Sequence, residues 1–162
     1  MKKQNGTARR QATEEFDAST VSFDELPEYI GYQVRRTQAK IFAEFEASLE
    51  NFDFTPGSFG VLTLIRANPG ITQVALAAAF GVDKSTMSPV IVRLEKRGLI
   101  HREVLESDRR CHALYFQPSA EAIFIAARER IRTFEGAVAA RLTKGEQRDL
   151  YRLLQKLQGA EG

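Results

Sequence analysis

A chain of 162 residues, 43% of them apolar, can bury one sizeable core and falls within the range of a single domain. It holds no apolar run long enough for a transmembrane helix and begins on a polar, charged stretch rather than a signal core, so a soluble, cytoplasmic protein is expected. A single cysteine, Cys111, excludes an intramolecular disulfide and a CxxC metal cluster, and 23 Lys+Arg against 21 Asp+Glu leave a formal net charge of +2, too small to announce a nucleic-acid partner by itself.

The first twenty or so residues mix Lys, Arg, Gln, Ser, Thr and Glu without periodicity, which predicts an arm with no packed element. Lys2, Lys3, Arg9 and Arg10 can touch phosphates from such an arm, and a plain solvated tail is the alternative. From Leu26 to about Glu50, Ile30, Val34, Ile41, Phe45 and Leu49 recur at helical spacing, widened by Tyr32, Ala39 and Phe42. This predicts one long helix, longer than a small core needs, with part of its apolar face left for a second surface.

Phe54-Thr55-Pro56-Gly57 reads as a break and restart: Thr55 caps a new helix and Pro56 takes the first helical position, where its missing N–H costs nothing. That helix runs through Arg66 to a turn at Asn68-Pro69-Gly70. Thr72 caps the next, which carries Val74, Leu76, Ala77 and Phe80 and stops at Gly81. Asp83 or Ser85 caps another, running to Arg97 before Gly98. Two short helices joined at a glycine form a helix-turn-helix pattern. Leu99 to Val104, a polar tip from Glu106 to Arg110, and Ala113 to Phe116 then read as a hairpin, a wing. After Pro118, Ile123, Phe124, Ala127, Ile131, Phe134, Val138 and Leu142 line one helical face, and Thr143-Lys144-Gly145-Glu146 has the form of a capping box for a last helix with Leu150, Leu153, Leu154 and Leu157. The expected fold is mainly α, of α+β class.

Charge is distributed unevenly. Between Lys84 and Arg110 seven basic residues face four acidic ones, which makes that window a candidate electrostatic footprint.

The run from Phe54 through Arg110 resembles the winged helix-turn-helix core of MarR-type regulators. The Thr-Pro break, the segment GVDKSTMSPVIVRLEKRGLI and the Asp108-Arg109-Arg110 triplet carry the likeness together, at the proper mutual spacing. The resemblance implies a flexible arm over residues 1–24, a dimerisation helix over 25–52, a DNA-binding domain over 53–118 and C-terminal dimerisation helices over 119–162. Two departures stand out. The strand leaving the wing runs into Phe116-Gln117-Pro118-Ser119-Ala120 where the family commonly has Leu-Thr-x-x-Gly, and Pro89 lies inside the recognition helix, where it removes the N–H that would bond the Ser85 carbonyl. A kink or a tightened first turn is expected there.

The major groove of DNA admits a helix and is read by short hydroxyls and long cations near its start. Ser85, Thr86, Ser88 and Arg93 supply these, Pro89 can press on a thymine methyl, and Lys84 stands where a phosphate contact is natural. Capping is the structural alternative for Ser85. Met87, Val90, Ile91 and Leu94 have the spacing of core residues. By the resemblance, Arg110 enters the minor groove with Asp108 as its support and Arg109 beside it, and a solvated turn is the alternative.

The family also implies a homodimer on an inverted-repeat duplex, and for many members a repressor released by a small aromatic or phenolic carboxylate or its coenzyme A thioester. Candidate ligand residues are Tyr29, Tyr32, Arg36, Phe42 and Phe59, with Arg36 able to pair with a carboxylate. No nucleophile triad, phosphate loop or carboxylate pair points to an enzyme. Neither histidine has a partner at metal-ligand spacing and no cofactor is expected. A winged-helix module for protein contacts is the remaining alternative, separated from the first reading by its affinity for duplex DNA.

Overall fold

The computed structural model describes residues 20–105 and 108–159, with side chains described throughout except at Leu105, Asp108, Arg109, Arg110 and Cys111. The basic residues of the arm, Lys2, Lys3, Arg9 and Arg10, lie outside the described residues. The chain divides into two units, one ending at Thr37 and one beginning at Gln38, and each is described by itself.

In the first unit, a single 3-10 turn, Leu26–Glu28, precedes helix α1, Ile30–Ser48, where one continuous helix was expected. Pro27 belongs to that turn; its ring tolerates only the opening of a helix. The break falls at Tyr29, whose backbone is extended (φ −83°, ψ 126°). The Gln33 amide side chain reaches back 2.5 Å to the Pro27 carbonyl.

In the second unit α1 ends at Ser48, and a 3-10 turn, Glu50–Phe52, leads to Asp53 in the left-handed region (φ 51°). Helix α2, Pro56–Ala67, begins with Thr55 as cap and Pro56 in its first turn, as the sequence predicts. Its box is completed by Ser58, which is buried and occupies the place usual for a Glu or Gln. Helix α3, Gln73–Phe80, is capped by Thr72 and closed by Gly81 at φ 70°. Open space surrounds that glycine, so Gly81→Ala tests backbone strain alone, and a loss of about 1–2 kcal/mol in chemical denaturation is the expected result. Helix α4, Lys84–Lys96, continues through Pro89.

Strands β2, Ile100–Leu105, and β3, Asp108–Phe116, form the wing. A two-residue strand β1, Ile71–Thr72, adds to the other edge of β3, pairing Ile71 with Leu114, so the sheet has the order β1-β3-β2. The sequence reading missed β1; its signal is one β-branched pair after the Asn-Pro-Gly turn, too short for any periodicity. Gly70, at φ 84°, brings that turn onto β3, where its N–H donates to the Leu114 carbonyl over 2.9 Å. The wing tip is also narrower than expected, because Asp108, Arg109 and Arg110 belong to β3 by backbone. The register jumps between Val104↔His112 and Leu105↔Asp108, so residues 109–111 form a bulge, a device that re-aims a strand next to a functional surface.

A 3-10 turn, Pro118–Ala120, replaces the family's usual Leu-Thr-x-x-Gly junction and delivers the chain into helix α5, Glu121–Ala139. Helix α6, Lys144–Leu157, starts with the predicted capping box of Thr143 and Glu146. The core of this unit is built from Leu49, Val61, Leu62, Ile65, Leu76, Met87, Ile91, Leu94, Ile100, Leu114 and Phe124, all buried, and α6 adds no buried residue to it. Helix α5 returns to α1 through Phe134 edge-on to Phe45 (5.7 Å) and Arg130 Nε to the Ser48 carbonyl (3.1 Å), and just beyond its end Arg141 pairs with Glu44. Fold class and element order thus agree with the sequence reading: mostly helix with one small antiparallel sheet.

Candidate nucleic-acid interface

Helix α4 has two unlike faces. Met87, Ile91 and Leu94, spaced four and three apart, are at most 1% exposed and seat the helix on the core. Lys84, Ser85, Thr86, Pro89, Val92, Arg93 and Lys96 are exposed, and Ser88 is half-buried at the boundary. The outward face therefore carries hydroxyls and cations, with Glu95 at its edge.

Its start is fixed by Asp83, not Ser85. The Asp83 carboxylate accepts from the Thr86 N–H (2.8 Å), the Thr86 hydroxyl (3.0 Å) and the Ser85 hydroxyl. Both hydroxyls thus spend their protons on Asp83 and turn lone pairs outward, the chemistry that meets the amino groups of adenine and cytosine. The same bonds, that from Ser85 foremost, hold the Asp83 carboxyl down at about 2 against an ordinary 3.8. A depressed carboxylate stabilises the fold fully above its unfolded value, and that contribution disappears as pH falls from about 3.8 toward 2. Asp83→Asn keeps an acceptor but does not titrate. Its acid-unfolding curve should therefore be flatter than the wild type's in that window, and parallel curves would remove the assignment.

Arg93 sits differently from the sequence expectation of a free cation. Its guanidinium forms an ion pair with Asp53, 40 residues away, while the Arg97 guanidinium donates to the carbonyls of Asp53 (2.6 Å) and Phe52 (2.8 Å) and lies 4.6 Å from the centre of the Phe54 ring. The left-handed turn at Asp53 is thereby tied to the C-terminal half of α4. Sequence reasoning passed over Asp53 and Arg97, because no local pattern links residues so far apart. A cleft of about 260 Å³ beside this tie is lined by Glu46, Glu50, Asp53 and Arg93 among others.

Asp108, Arg109 and Arg110 stand at the end of the wing by backbone, and their side chains lie outside the described residues. Of the ligand candidates, Tyr29, Tyr32 and Arg36 belong to the first unit, where the Arg36 guanidinium lies 5.8 Å from the Tyr32 ring centre and 6.0 Å from that of Phe23. The Tyr29 hydroxyl bonds Glu25, which raises its pKa. In the second unit Phe42 is exposed, while Phe59 stacks on Phe124 (5.2 Å, 10°) and meets Phe54 edge-on. Among the described residues no cluster of His, Cys, Asp or Glu is disposed to hold a metal, and no helix is long and apolar enough to cross a membrane.

Comparison with known proteins decides the family. The MarR family pattern matches residues 54–112. A protein of Thauera aromatica named for transcriptional regulation of the hcr operon is 33% identical over 129 residues, covering 79% of this chain and 78% of that one. The chain belongs to the MarR family. Among solved structures, that of the repressor CouR bound to a 23-mer DNA duplex superposes with a TM-score of 0.78 at 29% identity, covering 85% of this chain and 98% of CouR. CouR bound to p-coumaroyl-CoA gives 0.77 at 27% identity, covering 85% and 97%. This MarR-type protein is a transcriptional regulator, and its relatives are regulators rather than enzymes.

Proposed function

We propose that this MarR-type regulator is a homodimeric repressor that holds an inverted-repeat duplex with α4 and the wing and lets go when a small aromatic or phenolic carboxylate, or its coenzyme A thioester, binds. The observation that carries the DNA reading is the outward face of α4, whose exposed Lys84, Ser85, Thr86 and Pro89 lie over an inner face that is fully buried. In this reading Ser85, Thr86, Ser88 and Pro89 address base edges and Lys84 a phosphate. Arg93 offers DNA only the donors that Asp53 leaves free. Arg110 enters the minor groove, with Asp108 and Arg109 at its side.

Dimerisation is supported by α6, where Leu150, Tyr151, Leu153 and Leu157 are 43–63% exposed, a stripe that a monomer would leave in water. Effector release is supported by the likeness to CouR, whose structure holds p-coumaroyl-CoA. Arg36, faced by two aromatic rings, keeps in-plane N–H donors for a carboxylate or phosphate, and Tyr29 and Tyr32 accompany it.

The test is fluorescence anisotropy of the protein on duplexes selected from a random pool, at two salt concentrations, with and without a hydroxycinnamate and its coenzyme A thioester. Sequence-selective, salt-sensitive binding relieved by one compound is the expected result. Selective binding that neither compound relieves discards the effector class, and no selectivity for any duplex discards the DNA reading in favour of a module for protein contacts.

A further inference from the structure

Between the start of α4 and the wing lies a small pocket of which the assignments above use only Lys84. It has a volume of about 60 Å³ and is lined by Thr72 and Gln73 at the start of α3, Val74, Lys84 at the start of α4, Arg102 on β2, and His112 and Leu114 on β3. Elements α3, α4, β2 and β3 thus meet there. Its polar walls are Lys84, Arg102, His112, Gln73 and Thr72: two cations, an imidazole, an amide and a hydroxyl, with no carboxylate. Glu95, outside the lining, forms an ion pair with Arg102, its Oε2 2.8 Å from Arg102 Nε. Gln73 Nε2 donates to the Lys84 carbonyl over 3.2 Å and holds α3 against the first residue of α4. The volume is far below the roughly 300–1,000 Å³ of sites for drug-sized ligands, and the polarity is that of an anion site. The size and the two cations suit a small anion.

The position says where such an anion comes from. A duplex whose major groove holds α4 and whose adjacent minor groove holds the wing must pass the sugar-phosphate backbone dividing those grooves between the two elements, and the pocket draws its lining from both, Lys84 on α4 and Arg102 and His112 on the wing strands. We infer that this pocket, walled by Gln73, Lys84, Arg102 and His112, seats one DNA backbone phosphate per protomer and so sets the spacing between α4 and the wing on the duplex. The inference rests on the DNA reading above and adds to it residues of α3, β2 and β3 that neither sequence nor family likeness singled out. A seated phosphate fixes register without reading sequence, so its loss lowers affinity for all duplexes alike.

The experiment uses the full chain, a duplex selected as above and a scrambled duplex of equal length. His112→Glu and Gln73→Glu each place a carboxylate in the pocket. Each is expected to weaken binding about tenfold on both duplexes and to lower the slope of log affinity against log salt by about one, with thermal melting of the protein little changed. Binding of either folded variant within twofold of wild type overturns the inference while leaving the DNA reading intact. A wild type that selects no duplex is a different failure, and it withdraws both. A second check works from the DNA side: methylphosphonate, which removes the charge, is substituted at one phosphate at a time. One position per half-site should weaken wild-type binding and spare or improve binding by His112→Glu. A scan in which no position behaves so counts against the pocket. Inorganic phosphate at constant ionic strength separates the two sources of the anion, since displacement of the duplex by millimolar phosphate would reassign the pocket to the free ion.

Discussion

Ile91→Ala is expected to lower folding stability by about 2–5 kcal/mol, a large share of the 5–15 kcal/mol typical of a whole protein. Ile91 is completely buried and stands at the middle of the inner face of α4, between Met87 and Leu94, which are 1% and 0% exposed. Truncation removes its transfer free energy and leaves a cavity that Met87 and Leu94 cannot both move to fill without lifting α4 from Ile65 and Leu76, which belong to the same cluster. The control is one position along: Val92, on the outward face and 36% exposed, should cost about 0.5 kcal/mol or less as alanine. Urea denaturation at a fixed protein concentration measures both, because the dimerisation proposed above would make apparent stability depend on concentration. A loss below about 1 kcal/mol for Ile91→Ala would mean that α4 is not seated by this face, and the assignment of its opposite face to DNA would go with it.

Sequence reasoning reached that helix through signals that are local by nature. The 3.6-residue period of Met87, Ile91 and Leu94, the cap at Asp83 and the stop at Gly98 all act within a turn or two, so they are legible in one chain. The same holds for the cap at Thr55 with Pro56 after it and for the box of Thr143 with Glu146, both of which form as read. The misses share the opposite character. Strand β1 exists because Ile71 finds Leu114, 43 positions on, and a two-residue strand has no stability of its own. The ion pair of Arg93 with Asp53 depends on a left-handed turn at a non-glycine residue, which composition does not announce, and it withdraws part of a cation that sequence alone offers to DNA. The break at Tyr29 was foreseeable in one respect: Pro27 sits near the start of the apolar period, and a helix begun there is confined to its opening turn. Surface chemistry was legible wherever it rested on residue type, and illegible wherever two distant side chains divide one another's capacity.

Arg110→Ala is expected to weaken binding of a selected duplex by about 1–3 kcal/mol, or roughly 5- to 160-fold. The strand that carries Arg110 pairs with β1 on one side and β2 on the other, so its base is held by both neighbours while the register jump frees residues 109–111 from regular pairing. An arginine meets the strongest negative potential where the minor groove is narrow, as in A-tracts, and gains more there than on a phosphate in open solvent. The prediction has a sequence signature as well as a magnitude. Loss of Arg110 should cost most on duplexes with an A-tract at the wing position and little on those with G·C steps there, whereas a variant that removes only a phosphate contact costs the same on both. Competitive anisotropy with the two duplex types at moderate salt reads the difference directly. Equal affinity of Arg110→Ala and wild type on the A-tract duplex would return the triplet to the role of a solvated turn, and a uniform loss across both duplexes would move Arg110 from the groove to the backbone.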